Sequence, residues 1–351
     1  MNDRGLLRRR SLFRGRSARA AIVVLLIACL CTAVAVVSLM QGTPDLSVGQ
    51  VLNALSGSGT SEGNQRFIVQ NLRLPRVIGG LVAGGMLGVS GAVMQDTLRN
   101  PLAGPELIGV SAGASLAVAT IVAFRLPFPG IALPLAALAA GLATGTLILS
   151  LVSLKSNPMR MLLVGAAFTA LLNALLIAVI TLAPNFGGVS IIYRFLVGSL
   201  SDVQWEEVRL VAPWTIALPV VFLLAGRPLN ILALGDQMAE GLGVGVRRTR
   251  ALLFAAAVLL VAPVIAIAGP IGFVALVSPH VVRRLLRTSD ARIVLPVSAA
   301  VGAILVVSAD MAARLALHPH EIAVGLWTVV FGAPALLVLM QRGLVRRRAI
   351  P

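Results

Sequence analysis

The sequence carries little charge and almost no lysine. Only 12% of its 351 residues are charged, whereas a soluble domain usually carries about 25%, and Lys155 is the single lysine. The hydrophobic fraction is 58% and the mean hydropathy is +0.96. These values exclude an ordinary soluble enzyme and a disordered chain, because so much apolar surface cannot stay in water.

Motifs of catalysis and of metal binding are also missing. There is no His-Glu-x-x-His, no Gly-x-Ser-x-Gly and no Cys-x-x-Cys, and Cys29 and Cys31 lie two apart on a predicted helix, where they do not face each other. A phosphate-binding loop needs Gly-Lys-Ser/Thr, but Lys155 follows Leu154. We therefore expect no enzyme, no metal site and no cofactor, and any ATP must be hydrolysed by another polypeptide.

Long charge-free runs are abundant. A helix needs roughly 20 apolar residues to cross a hydrocarbon core about 30 Å thick. One run is broken by Gly269-Pro270, where we expect one crossing to end and another to begin. The nine runs therefore predict an all-α membrane protein with about ten spanning helices. They cover residues 20–44, 77–95, 107–124, 126–154, 161–193, 210–226, 251–282, 293–309 and 322–341.

The basic residues indicate the orientation. With the amino terminus in the cytoplasm, 22 of the 29 Lys and Arg lie inside and seven lie outside, as the positive-inside rule requires. Both termini are then cytoplasmic. The net charge of +16 belongs to residues that flank membrane helices, so it predicts contact with the lipid bilayer and no nucleic-acid partner.

Several polar or glycine-rich segments interrupt the apolar pattern. Small residues at helical spacing let helices approach closely, and they fill the helix over 79–95. The segment Gly235–Val244 is too polar for lipid and too short for a domain, and it predicts two short helices joined at a glycine. The other segments are Arg73-Leu74-Pro75-Arg76, Asn100-Pro101-Leu102-Ala103 and Gly269–His280.

Together these motifs resemble the FecCD-type permease family, the membrane subunits of type II ABC importers for iron-siderophores, haem and vitamin B12. The resemblance runs from about residue 20 to 345 and includes Ser308-Ala309-Asp310 and Gly332-Ala333-Pro334 near the end. It implies a multi-pass subunit of a prokaryotic inner or plasma membrane, most often carrying a ferric siderophore, with haem or cobalamin as the alternative. A long arginine-rich amino terminus departs from the family.

The resemblance also implies an architecture and partners. Helices two to five and seven to ten are expected to form an inverted repeat. The chain is divided into a basic cytoplasmic extension (1–19), a permease domain (20–345) with a coupling loop at about 227–250, and a tail (346–351). The partners are a second permease subunit, identical or paralogous, two cytoplasmic ATPase subunits and a substrate-binding protein outside.

Site residues follow from the same resemblance. The outer docking site for the binding protein is predicted at Arg73, Arg76 and Arg314. The ATPase-coupling residues are predicted at Gly235, Asp236, Ala239, Leu242, Gly243 and Val244. The cytoplasmic gate is predicted at Asn100, Leu102, Asn157, Pro158 and Met159.

Plainer interpretations of these residues stay open. The three arginines also suit anchoring to lipid headgroups, Asn100-Pro101 suits a simple helix end, and the 235–244 segment suits an ordinary surface loop. We expect Asp310 to pair with Arg314 one turn later, and His280 to make an interior hydrogen bond.

Two further alternatives remain at this stage. His318, His320 and Glu321 hint at metal capture, although a site needs more ligands and a defined geometry. An ion-coupled secondary transporter is the rival class, but it would normally need an ionisable residue within the membrane.

Overall fold

The computed structural model describes residues 3–56, 63–127, 132–151, 158–183, 189–317 and 321–348. Within these ranges the regular structure is entirely helical, with a π-helical turn at Ile68–Arg73 and 3₁₀ turns at Pro105–Ile108 and Ala212–Ile216. The α-helices are α1 (Asp3–Met40), α2 (Val48–Ser56), α3 (Gly63–Phe67), α4 (Leu74–Leu98), α5 (Val110–Ala123), α6 (Ala132–Leu151), α7 (Pro158–Leu182), α8 (Val189–Val197), α9 (Trp205–Val211), α10 (Ala217–Leu232), α11 (Asp236–Gly241), α12 (Val246–Ala268), α13 (Val274–Leu286), α14 (Ala291–Leu315) and α15 (Val324–Arg348).

Membrane-crossing helices dominate the described part of the chain. Three of the predicted crossings fall on short helices, namely α5 with 14 residues, α13 with 13, and the apolar stretch Val324–Val338 of α15. The predicted all-helical, polytopic membrane fold is confirmed, with some crossings shorter than expected. Among the described residues, seven helices are long and apolar enough to span, at Ala21–Met40, Gly63–Leu98, Ala132–Leu151, Leu163–Leu182, Trp205–Leu232, Val246–Ala268 and Ala291–Leu315.

Helix α4 lies at the centre of the bundle and packs on α12, α13 and α14. Its glycines allow these contacts, because a Cβ on Gly84 would overlap the carbonyl of Gly302 on α14, and a Cβ on Gly302 would overlap the carbonyl of Gly84. Gly91 faces the Ala275 carbonyl of α13 in the same way. The small-residue pattern of 79–95 therefore produces the close helix approach that it predicts.

The predicted break at Gly269-Pro270 is present. Helix α12 ends at Ala268 and α13 begins at Val274. Gly269 has φ +67°, and a Cβ there would overlap the carbonyl oxygen of Phe195. Both the left-handed backbone and the close approach require glycine at this position.

The segment after α1 packs as short elements against the outer end of the bundle. Leu39, Val51, Val69 and Val77 share a small buried cluster, and Trp205 Nε1 donates a hydrogen bond to the Gln70 carbonyl at 2.8 Å. This cluster holds the π-helical turn in line with α4, so that Gly63–Leu98 forms one 36-residue helical stretch.

Candidate functional site at the two ends of helix α4

At the outer end of α4, the end that the basic-residue bias assigns to the outside, Arg76 binds two carboxylates. Its Nε donates to both carboxylate oxygens of Asp310 at 2.9 and 3.1 Å, and its Nη1 donates to Glu321 Oε2 at 3.0 Å. The side chain of Asp310 is 3% exposed and that of Glu321 is 45% exposed. A buried carboxylate has to be paired, so the Arg76–Asp310 pair joins α4 firmly to α14.

Arg314 completes this outer ion cluster, which consists of Arg76, Asp310, Arg314 and Glu321. Its Nε lies 3.2 Å from Asp310 Oδ2, so the predicted Asp310–Arg314 pair is present. Its Nη2 also donates to Ser38 Oγ at 2.7 Å, which ties α14 to α1. Two arginines and two carboxylates give the cluster a formal charge of zero.

Arg73 is buried and bound to backbone carbonyls. Its Nη1 donates to the carbonyls of Leu39 and Met40 at 2.8 and 3.0 Å, and its Nη2 donates to the Pro44 carbonyl at 2.6 Å. Only 6% of the residue is exposed. Its guanidinium therefore holds the end of α1 and the following loop in place.

The three predicted docking arginines line one cavity of about 540 Å³ at this outer end. Asp45, Asn71 and Gln204 also line it. The structure thus brings together Arg73, Arg76 and Arg314, although they are separated by up to 241 positions in the sequence, and it surrounds them with polar and acidic groups.

At the inner end of α4 a second cluster forms around Asp236, the first residue of α11. Asp236 Oδ1 accepts hydrogen bonds from Arg99 Nη2 and from Arg250 Nη2, both at 2.8 Å. Arg99 caps the carboxyl end of α4 in a left-handed conformation with φ +49°, while Arg250 lies in the second turn of α12 and its side chain is 3% exposed. We call these three residues the inner ion cluster.

A neighbouring ion pair joins the same end of α4 to α13. Arg283 donates from Nη1 to Gln95 Oε1 at 2.6 Å and from Nη2 to Asp96 Oδ1 at 2.8 Å. Gln95 also donates to the Leu276 carbonyl at 3.2 Å. The inner end of α4 is therefore bound by Arg283 of α13 and by Asp236 of α11, and Asp236 is in turn held by Arg250 of α12.

The predicted pair of short helices at Gly235–Val244 is wrong, because only one short helix, α11, forms before α12 begins. Glycine is poor in a helix interior, and Gly241, Gly243 and Gly245 stand in five consecutive residues. Gly243 has φ +80°, and the Val244 amide donates back to the Ala239 carbonyl at 3.0 Å, which closes the end of α11.

The predicted coupling residues are divided between two faces of α11. Ala239 is completely buried against the permease, whereas Leu242 is 58% exposed, as is its neighbour Met238. Gly243 is exposed, and nothing lies within 4 Å of the position of a Cβ there. The exposed face of α11 thus offers two large apolar side chains at the cytoplasmic surface.

The predicted gate residues are described only in part. Asn100 Oδ1 accepts the Leu102 amide at 2.9 Å and forms a tight turn, and Leu102 is 44% exposed. Asn157 lies outside the described residues, and Pro158 and Met159 begin α7, where only the backbone is described. In the 3₁₀ turn Pro105–Ile108, burial raises the pKa of the Glu106 carboxyl above its usual value, and a hydrogen bond from its own backbone amide offsets only part of this rise.

Other predicted groups occupy ordinary positions. The His280 ring has Nδ1 2.8 Å from the Leu276 carbonyl, which is the predicted interior hydrogen bond. His318 and His320 lie outside the described residues. Over the described ranges no group of three or more His, Cys, Asp or Glu is placed to hold a metal ion.

The sequence did not reveal the partners of the predicted site residues. The sequence alone identifies Arg99, Arg250 and Arg283 only as basic residues on the cytoplasmic side, and Glu321 only as an alternative metal ligand. Arg99 directly precedes the Asn100-Pro101 motif, and this position indicates only weakly that Arg99 belongs to the site. Its contact with Asp236 spans 137 positions and needs the folded bundle.

Comparison with known proteins agrees with this architecture. Residues 24–342 match the FecCD transport family. The chain is 36% identical over 325 residues to the Fe(3+)-citrate import system permease protein YfmE of Bacillus subtilis (strain 168), covering 92% of this chain and 96% of that protein. It is 35% identical over 331 residues to the ferric enterobactin transport system permease protein FepG of Escherichia coli (strain K12), covering 92% and 97%.

A solved structure supports the same assignment. A metal-chelate type ABC transporter in an inward-facing conformation superimposes with a TM-score of 0.82 at 29% identity, over 92% of this chain and 99% of that one. The chain belongs to the FecCD transport family. It is a multi-pass membrane subunit of a bacterial ABC importer and the transport component without an ATPase domain.

Proposed function

We propose that this chain carries a ferric siderophore or ferric citrate into the cytoplasm, using ATP hydrolysed by separate subunits. Support comes from relatives named for ferric citrate and ferric enterobactin, which are 36% and 35% identical over nine-tenths of the chain. Haem and cobalamin are the alternative cargoes, and substrate choice would rest mainly with the binding protein.

The distribution of ionisable groups argues against the ion-coupled carrier. A carrier of that kind needs a titratable group within the membrane. In the described part of the chain, the buried Asp310 and the half-buried Asp96 of the long spans lie at the ends of the bundle and are paired with arginines. The energy then has to come from a partner protein.

The ATPase subunits are proposed to bind the exposed face of α11. Met238 and Leu242 are large apolar side chains exposed on the side that carries most of the basic residues. Exposed apolar groups at a polar surface often mark a protein contact. Gly235 directly precedes α11, and the turn at Gly243 and Val244 closes its other end. These three residues would therefore fix the orientation of the exposed face.

The binding protein is proposed to dock over the outer cavity. Arg76 and Arg314 place guanidinium groups in its wall, while Arg73 holds the rim formed by the loop after α1. Carboxylates of the binding protein would compete with Glu321 for Arg76, because Glu321 is the exposed member of the outer ion cluster.

A second permease subunit and lipid are proposed to cover the apolar flanks. Leu171, Ile177 and Leu182 of α7 are between 52% and 71% exposed in the single chain, and Leu223 of α10 is 81% exposed. Side chains of this kind belong against hydrocarbon or another membrane helix. The partner is either a copy of this chain or a paralogue.

The gate is proposed at the cytoplasmic ends of α4 and α7. Asn100 and Leu102 form a tight turn after α4, and Pro158 and Met159 begin α7, directly after Asn157 in the sequence. Movement of either helix end would open or close the path between them.

Reconstitution tests this function. The complete transporter in proteoliposomes should accumulate radiolabelled ferric citrate or a ferric siderophore when ATP is supplied, and should not do so with a non-hydrolysable analogue. Haem and cobalamin, tested in parallel, distinguish the alternative cargoes. Accumulation by this chain alone under a proton gradient would overturn the proposal.

A further inference from the structure

Asp236 directs its carboxylate back into the permease. Both of its hydrogen-bond donors, Arg99 and Arg250, belong to the same chain, and each lies 2.8 Å from the same oxygen, Oδ1. The side chain of Arg250 is 3% exposed, so this guanidinium is not available to another protein. Asp236 therefore serves an internal contact, although it begins the helix proposed to meet the ATPase.

In the described part of the chain, the inner ion cluster links α11 to the end of α4. Helix α11 packs on α10 and α12, and over the described ranges the ion pairs of α11 all pass through Asp236. Arg99 lies one residue before Asn100 and adopts φ +49°, a conformation that costs a residue with a Cβ roughly 1 kcal/mol or more. The bond to Asp236 offsets part of that cost.

Helix α4 is well placed to carry a displacement into the bundle. Its inner end is also bound by Arg283 of α13 through Gln95 and Asp96. Further along, its glycines lie directly against the backbones of α13 and α14. A shift of the inner end of α4 would therefore be felt by both neighbouring helices, because close-packed interfaces do not deform continuously.

We propose that the inner ion cluster of Arg99, Asp236 and Arg250 transmits movement between α11 and the inner end of α4. Arg99 and Arg250 act as positioning residues. This inference rests on the proposed role of α11 in binding the ATPase. When a binding protein docks outside, the inner ion cluster transmits the resulting helix movement to the ATPase. In the other direction, it transmits the conformational change of the ATPase to the turn at Asn100.

The test uses the complete transporter in proteoliposomes and needs no knowledge of the cargo. The readout is the ratio of ATP hydrolysis with the binding protein to hydrolysis without it, together with co-purification of the ATPase subunits. The variants are Asp236→Asn, Arg99→Gln, their combination and the conservative Arg99→Lys. Glu240→Gln is the matched control, since it removes an exposed carboxylate of α11 that forms no ion pair with the described residues.

We expect Asp236→Asn and Arg99→Gln each to lower the stimulation ratio by roughly fivefold or more, the lower end of common allosteric coupling factors, with the ATPase subunits still bound. The double variant should be no worse than Asp236→Asn alone, because Asp236→Asn already removes the contact that Arg99→Gln breaks. Arg99→Lys should recover much of the ratio, and Glu240→Gln should match the unaltered transporter.

Three results would overturn the proposed role of the inner ion cluster. These are unchanged stimulation in both single variants, effects that simply add in the double variant, or loss of the ATPase subunits in Asp236→Asn, which would make Asp236 a direct contact. If Asp236→Asn does not reach the membrane, Arg99→Gln decides alone, because the Arg99 side chain is 39% exposed. Failure of the ATPase subunits to bind the unaltered permease through α11 would instead contradict the proposed function.

Discussion

Arg76 and Asp310 join the outer ends of α4 and α14, with Arg76 Nε 2.9 and 3.1 Å from the two carboxylate oxygens and Nη2 2.9 Å from Oδ1. The pair lies 234 positions apart in the sequence and is almost fully removed from solvent. It shows that an arginine predicted to face another protein is first of all an internal partner.

Removing this carboxylate should destabilise the protein. Asp310→Ala leaves Arg76 and Arg314 close together without their shared counter-ion, and breaking a buried pair from one side costs about 3–5 kcal/mol. We expect a clear fall in the thermal unfolding midpoint in detergent. Glu206→Gln, which changes an exposed acidic residue near the same end, is the control and should leave the midpoint unchanged.

Neutralising Glu321 should strengthen docking of the binding protein. Glu321→Gln removes the exposed competitor for Arg76, and one exposed ion pair is worth about 0.2–1 kcal/mol, so the gain in affinity should be a few-fold at low salt. Titration of the binding protein at low and high salt measures it, since screening weakens exposed pairs. An equal gain from Glu206→Gln would indicate a general charge effect, and weaker binding of Glu321→Gln would contradict docking at Arg76.

A methyl group at the α4–α14 crossing should disrupt the bundle. Gly84→Ala places Cβ against the Gly302 carbonyl and should cost about 1–3 kcal/mol, as overpacking does. Gly85→Ala on the same helix is the matched control, because a Cβ there meets Ala299 only at 3.8–3.9 Å. Thermal unfolding should separate the two variants, and equal midpoints would show that the crossing has room to relax.

A β-branched residue at Gly243 should uncouple ATP hydrolysis from transport. Gly243→Val has open space for its side chain but must adopt φ +80°, so its effect is backbone strain of about 1–2 kcal/mol at the end of α11. We expect normal amounts of permease with reduced uptake per ATP. Gly245→Val, at a position with φ −68° and equally open space, is the control. Equal uptake per ATP in both would remove Gly243 from the coupling loop.

Much of the fold could be read from local sequence because its causes are local. A charge-free run needs no tertiary contact to predict a membrane helix, and Gly269-Pro270 predicts the break between α12 and α13. The prediction of a second short helix after α11 was wrong, because three closely spaced glycines favour a turn over a helix. The shorter lengths of α5 and α13 were not visible either, because run length measures the absence of charge and not the end of the backbone hydrogen bonds.

The sequence by itself determined the class of protein, the orientation and the residue types at each surface, since these follow from hydropathy, arginine placement and motif order. Only the tertiary structure decided which charges meet. Asp236 could face a partner or its own chain, and Arg76 could face a binding protein or Asp310. Such choices depend on contacts across 14 to 234 positions, which arise when helix packing brings buried ionisable groups together and the low local dielectric requires each one to be paired.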